Sequence, residues 1–60
     1  MKMLYEFTSP DGIESKIVKN EAGLFSLIIR DVDSGELISR INAKSVTPLL
    51  RRFEDMKSTY

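Results

Sequence analysis

Three turn signals divide this chain into four short segments, and this division constrains the fold more than any other feature of the sequence. The turn signals are Ser9 to Gly12, Asn20 to Gly23 and Asp31 to Gly35, and each contains a glycine at its end. The segments between them are rich in Ile, Val, Leu, Phe and Tyr. Segments of about seven to nine residues with β-forming side chains, separated by such turns, are typical of an antiparallel meander.

The side chains within these segments alternate between apolar and polar, as strands require. The third segment is apolar on both faces, which is typical of a central strand. The sequence therefore predicts strands over Lys2 to Thr8, Ile13 to Lys19, Leu24 to Arg30 and Glu36 to Asn42.

A helix is predicted for the last part of the chain, because apolar residues recur there at steps of three and four and form one stripe. Ser45 or Thr47 can cap its start, and Pro48 is tolerated only within the first turn, so the helix should begin near residue 45. A helix this short must dock to be stable. The apolar stripe consists of Val46, Leu49, Leu50, Phe53 and Met56.

These elements predict a single α+β domain over residues 1–60, in which a four-stranded antiparallel β-meander is followed by one C-terminal α-helix packed on one sheet face. Strict alternation assigns the larger apolar side chains to the helix-covered face. That predicted core face consists of Met3, Tyr5, Phe7, Ile13, Ile17, Phe25, Leu27, Ile29, Leu37 and Ile41. The second face would carry Leu4, Val18, Leu24, Ile28 and Ile38 among Glu6, Glu14, Lys16, Ser26, Arg30 and Arg40.

One helix cannot cover both faces of a four-stranded sheet, so the second face is the main clue to function. Apolar side chains rimmed by charge are typical of a protein contact surface, although exposed Leu and Ile are also common one at a time. We interpret the chain as a small non-enzymatic protein-interaction or regulatory module that self-associates, as a homodimer, or binds another protein. Face-to-face packing is favoured over edge pairing. The predicted contact residues are Leu4, Val18, Ile28 and Ile38, with Arg30 and Arg40 at the rim.

The composition argues against several other classes. The chain has no Cys and no His, so it offers neither a disulfide framework, nor a zinc site of the Cys and His type, nor the usual acid–base and thiol groups of enzymes. No cofactor, metal or membrane partner is predicted, and a cytoplasmic location is expected because no apolar run approaches the length of a membrane span. Asp31, Asp33 and Glu36 are interpreted as turn residues, since short acidic side chains bond to local backbone.

The alternative function is nucleic-acid binding through the basic C-terminal half. Nine basic and nine acidic residues give a net charge of zero. Residues 1–36 carry four basic and seven acidic residues, whereas residues 37–60 carry five basic and two acidic ones. The order of four strands and a helix resembles, as topology, the single-strand-binding domain of the positive-cofactor transcriptional coactivators and, more loosely, the arm-binding domains of phage integrases. No motif of either family is present, and the neutral charge departs from theirs. The alternative contact residues are Arg40, Lys44, Arg51 and Arg52.

Overall fold

The computed structural model describes residues 1–59 and shows one antiparallel sheet followed by one helix. The strands β1 (Lys2–Thr8), β2 (Ile13–Lys19), β3 (Phe25–Asp31) and β4 (Leu37–Ala43) lie in the order β1-β2-β3-β4, and α1 (Val46–Thr59) packs on the sheet. The predicted α+β fold is confirmed. The predicted bounds of β1 and β2 are confirmed as well, and those of β3 and β4 were each one residue too early. Within the described part of the chain, no helix has the length and apolar character that a bilayer crossing requires.

The first two turns are built in the same way, which explains why both begin with a small polar residue and end with glycine. Gly12 N–H donates to the carbonyl of Ser9 at 3.0 Å, and Gly23 N–H donates to the carbonyl of Asn20 at 3.1 Å. Both glycines have a positive φ, of 84° and 83°, a region that other residues enter only at a cost. The Ser9 hydroxyl and the Asn20 amide oxygen each accept a bond from the N–H four residues later. Two sequence patterns thus encode one turn geometry.

The third turn is organised by the side chain of Asp31. Its carboxylate accepts bonds from the N–H groups of Asp33 and Ser34, at 3.0 and 3.4 Å. The N–H of Val32 donates to the carbonyl of Gly12 at 2.9 Å, so this turn is also tied to the first one. The predicted turn role of Asp31 is confirmed by these bonds.

Each edge strand contains a bulge, and the two bulges overturn part of the predicted face assignment. In β1 the register passes from Met3 opposite Val18 to Tyr5 opposite Ile17, so Leu4 is an extra residue. In β4 the register passes from Ser39 opposite Ile29 to Leu37 opposite Arg30, so Ile38 is an extra residue. Strict alternation fails at a bulge because two residues of one strand oppose a single residue of the other.

Three face assignments change as a result. Met3 and Leu37, which were predicted to lie in the core, pair with residues of the second face and are 50% and 52% exposed. Leu4, which was predicted to lie on the second face, packs against the core instead. The placement of these three residues was therefore wrong, and in each case the residue lies at a bulge or directly beside one.

The core is shared between the sheet and the helix. Ile17 and Leu27 from the two central strands are buried against Leu49 and Phe53 of α1, and each of the four is at most 2% exposed. The ring of Tyr5 in β1 lies 5.9 Å from that of Phe53 at an angle of 48°, but Tyr5, which was predicted to lie in the core, is 41% exposed and lies at the margin of this cluster. The partly buried residues around this cluster are Leu4, Phe7, Phe25, Ile29, Ile41, Ala43, Val46 and Leu50.

The helix begins where its capping residue predicts. The N–H of Thr47 donates to the hydroxyl of Ser45 at 3.3 Å, and Pro48 is the third helical residue, where its missing N–H has no intrahelical acceptor. The predicted stripe is confirmed, since its members face the sheet. Met56 lies at the margin of that stripe and accepts a weak bond from the buried hydroxyl of Ser15, at 3.6 Å.

Candidate functional site

The sheet face opposite the helix, here called the open face, is defined by the strand register. Residues directly opposite one another on neighbouring strands project from the same face. Three cross-strand rows result, each running from β1 to β4. The upper row is Met3, Val18, Ser26 and Asn42; the middle row is Glu6, Lys16, Ile28 and Arg40; the lower row is Thr8, Glu14, Arg30 and Leu37.

Apolar side chains occupy the centre and two corners of the open face. Val18 is only 4% exposed and Ile28 is half-buried, both on central strands, whereas Met3 and Leu37 on the edge strands are about half exposed. Val18 is thus buried although α1 packs on the other face. The structure thus places Val18 and Ile28 on the open face as predicted.

The remaining predicted apolar members lie apart from this centre. Ile38 is the bulge residue of β4, 54% exposed and adjacent to Leu37. Leu24 precedes β3, at the closure of the second turn, and is 39% exposed. Leu4 is excluded from the open face by its contact with the core. The exposed apolar surface therefore includes Met3 and Leu37, which sequence reasoning had assigned to the interior.

A polar pair of one buried and one exposed residue belongs to the upper row. The hydroxyl of Ser26, in a residue only 4% exposed, donates to the side-chain oxygen of Asn42 at 2.6 Å across the β3–β4 pair. A buried hydroxyl is costly unless it is bonded, and this contact satisfies it. The sequence does not predict this pair, because a single Ser in one strand and a single Asn in the next are ordinarily exposed to solvent.

The charged side chains of the open face are sorted by strand. Acidic residues lie on the β1 and β2 side, at Glu6 and Glu14, and arginines lie on the β3 and β4 side, at Arg30 and Arg40. Lys16 lies on β2 and pairs with Glu14 at 3.6 Å. The side chains of this pair are only 21% and 23% exposed, so part of each aliphatic stem lies along the sheet. The β1 and β2 half of the face thus carries two acidic residues and Lys16, and the β3 and β4 half carries two arginines.

The four residues predicted for nucleic-acid binding do not share one surface. Arg40 lies on the open face, whereas Arg51 and Arg52 are exposed on α1, which packs on the opposite face. Lys44 lies in the connection between β4 and α1. A continuous basic track, which backbone phosphates require, is not formed by these four side chains.

A shallow cleft opens between α1 and β4 on the helix side. Its apolar floor is formed by Leu27, Ile29 and Ile41, and Arg52 and Met56 line its helical wall. The floor residues already belong to the core or pack against it. The cleft is therefore the margin of helix docking.

Comparison with known proteins adds no relative to this description. No family model matches the chain, and neither the search of curated proteins nor that of solved structures gives a match. The fold and the open face define the class only as a small α+β unit with one uncovered sheet face.

Proposed function

We propose that this chain is a small non-enzymatic protein-interaction module, of a regulatory or accessory kind, that self-associates through the open face. The observation that carries the proposal is that buried Val18 and half-buried Ile28 occupy the centre of that face, with Met3 and Leu37, each about half exposed, at two of its corners. Among residues 1–59, α1 is the one helix, and it lies on the other side. Apolar side chains on an uncovered sheet face with charged residues among them are typical of interaction sites.

The two bulges favour pairing through the face over pairing through an edge. An unbroken edge strand offers a row of free N–H and C=O groups to another sheet, and a bulge interrupts that row. Both edge strands are interrupted, at Leu4 in β1 and at Ile38 in β4. Extension of the sheet by a second copy is therefore disfavoured at each side, whereas the face itself is unobstructed.

The dimensions of the open face indicate a weak association. It has four strands of seven residues each. At strand spacings of about 4.8 Å and a rise of about 3.4 Å per residue, this gives roughly 450 Å² per copy. A pair would bury about 900 Å² in total, below the roughly 1,200–2,000 Å² of stable complexes. We therefore expect a dissociation constant in the micromolar range or above, which suits a reversible, concentration-dependent module in the cytoplasm.

The test is the molecular mass in solution as a function of concentration. Sedimentation equilibrium between about 10 μM and 1 mM should show a transition from the 6.9 kDa of one chain towards twice that mass. Ile28→Lys places a charge at the centre of the face and should abolish the transition. Leu37→Lys should weaken it with less risk to folding, because Leu37 is 52% exposed.

Ala22→Lys serves as the matched control, because it adds the same charge at an exposed position of the second turn. It should associate like the wild type, and circular dichroism should show all three variants folded. A wild type that stays at one-chain mass throughout the concentration range refutes self-association. Retention of duplex or single-stranded DNA that weakens steeply with salt would instead support the nucleic-acid alternative.

A further inference from the structure

The charges of the open face are arranged so that one particular pairing of two copies is complementary. Glu6 and Arg40 stand at opposite ends of the middle row, on the two edge strands. Glu14 and Arg30 stand next to each other at the centre of the lower row. The middle and lower rows therefore each carry an acidic residue on the β1 and β2 side and an arginine on the β3 and β4 side, and Lys16 is the further charged residue of the middle row.

Two copies packed face to face as a symmetric pair must be related by a two-fold axis in the plane between their sheets. When the strands of the two sheets are roughly aligned, as in most sheet packings, that axis runs either along the strands or across them. An axis along the strands lays β1 over β4 of the second copy and β2 over β3. Each row then faces the same row of the other copy in reverse order.

We propose, on the basis of the self-association argued above, that the pair forms about the axis along the strands, so that Glu6 faces Arg40 of the second copy. In this arrangement Glu14 also faces Arg30 of the second copy, and by symmetry each contact occurs twice. Lys16 faces Ile28 of the second copy, where its aliphatic stem can cover the apolar side chain while the ammonium keeps its pairing with Glu14. Opposite charges then meet in the middle and lower rows.

The axis across the strands gives the reverse result. It lays each strand over the same strand of the second copy, so that Glu6 would face Glu6, Lys16 would face Lys16 and Arg40 would face Arg40. Like charges brought together in an interface cost several kcal/mol and exclude wrong orientations. The charge pattern therefore selects one of the two aligned pairings.

Glu6 and Arg40 are suited to a test because they cannot reach each other within one chain. They are separated by three strand spacings, about 14 Å, which exceeds the Debye length of about 8 Å at physiological salt. Any energetic coupling between the two positions must then come from contact between copies. Glu14 and Arg30 are direct neighbours across β2 and β3, and coupling between them would not discriminate.

The experiment is a charge-swap cycle measured by sedimentation equilibrium on the full chain. Glu6→Arg and Arg40→Glu alone should each weaken association by roughly tenfold, because each creates two like-charge contacts in the pair. The double variant should associate within about threefold of the wild type. An equimolar mixture of the two single variants should also associate, because their new charges are complementary.

Effects within one chain are controlled in two ways. Glu6→Arg places a cation beside Lys16, the neighbour of Glu6 in the middle row, and the double variant keeps that contact, so recovery of association would come from the second copy. Glu21→Arg makes the same charge change at an exposed position in the second turn and should associate like the wild type. Thermal melts followed by circular dichroism verify that every variant is folded.

The outcomes separate this inference from the function on which it rests. If the wild type pairs but both single variants pair equally well, or if the double variant is weaker than either, the axis along the strands is wrong and self-association stands. If the wild type never exceeds one-chain mass, both proposals are overturned. Recovery in the double variant and in the mixture supports the proposed axis.

Discussion

The most direct test of the fold is the truncation of Phe53, the residue through which the helix holds the sheet. Phe53 is 2% exposed, and its ring contacts that of Tyr5 at 5.9 Å between centroids. The ammonium of Lys57 lies over the same ring at 5.8 Å. Phe53→Ala removes all these contacts and leaves a cavity between α1 and the central strands.

The size of the effect follows from these contacts. Truncation of a buried Phe to Ala costs about 3–5 kcal/mol. A chain of 60 residues has a total stability of roughly 3–9 kcal/mol at about 0.05–0.15 kcal/mol per residue. Phe53→Ala should therefore remove at least about a third of the free energy of unfolding, and all of it if that free energy lies near the lower end of the range. Phe53→Leu retains most of the volume but loses the aromatic pair with Tyr5, so it should cost about 1–2 kcal/mol.

Thermal and urea unfolding followed by circular dichroism measure both variants. A loss of 1–2 kcal/mol should lower the melting temperature of a domain this small by roughly 4–15 °C. Arg51→Ala, at an exposed position of the same helix, should change stability by less than about 0.5 kcal/mol. A Phe53→Ala variant that unfolds within about 1 kcal/mol of the wild type would show that helix docking does not stabilise the sheet, contrary to the reasoning above.

Substitutions at four further positions probe local features by the same melts. Gly23→Ala should destabilise by about 1–2 kcal/mol through its φ of 83° alone, because open space surrounds the added methyl group; an unchanged melting point would contradict a left-handed turn. Ser45→Ala should cost about 0.5–2 kcal/mol by removing the acceptor for the N–H of Thr47, and Ser45→Asp should restore most of it. Leu4→Ser should destabilise the chain by at least about 1 kcal/mol, whereas Ile38→Ser at the other bulge should change stability by less than about 0.5 kcal/mol. Both variants are measured at concentrations where the chain is monomeric. Equal effects would mean that the two side chains lie in the same environment, contrary to the structure.

Much of the fold could be predicted because the local signals agree with one another. Glycines with positive φ end the three turns that the sequence predicts. The side chains of the polar residues that begin the first two turns accept hydrogen bonds from the turn backbone, as short polar side chains commonly do. The apolar stripe of α1 and its cap at Ser45 likewise depend on short-range spacing. Each of these features is decided within a few residues, where turn and capping chemistry is well defined.

The bulges could not be predicted, and they account for the errors in the face assignment. Leu4 and Ile38 are ordinary apolar residues, and neither has a positive φ that would require glycine. No change of composition marks the extra residue. The two-residue alternation of side chains is therefore continued through the bulge, which assigns Met3 and Leu37 to the wrong face. A bulge is determined by the register of the neighbouring strand, which is tertiary information.

The candidate site was predicted in part for the same reason. Val18 and Ile28 lie on central strands without bulges, and their assignment to the face away from the helix was correct. The sorting of charges by strand emerges only when the register aligns Glu6 with Arg40 through Lys16 and Ile28. The sequence alone indicates that each of these residues lies on the sheet face away from the helix. The cross-strand row to which each residue belongs depends on the strand register, which all three turns determine together.

The strand order also has a consequence for how quickly the chain reaches this structure. Every strand pairs with its immediate neighbour along the chain, so each ladder closes only a short loop and loses little entropy before contacts form. The rate-limiting step should instead be the arrival of Leu49 and Phe53, which supply half of the four residues in the core cluster. Refolding should be fast for a β-rich protein, and substitutions in α1 should slow it more than substitutions in the turns if helix docking forms part of the folding nucleus.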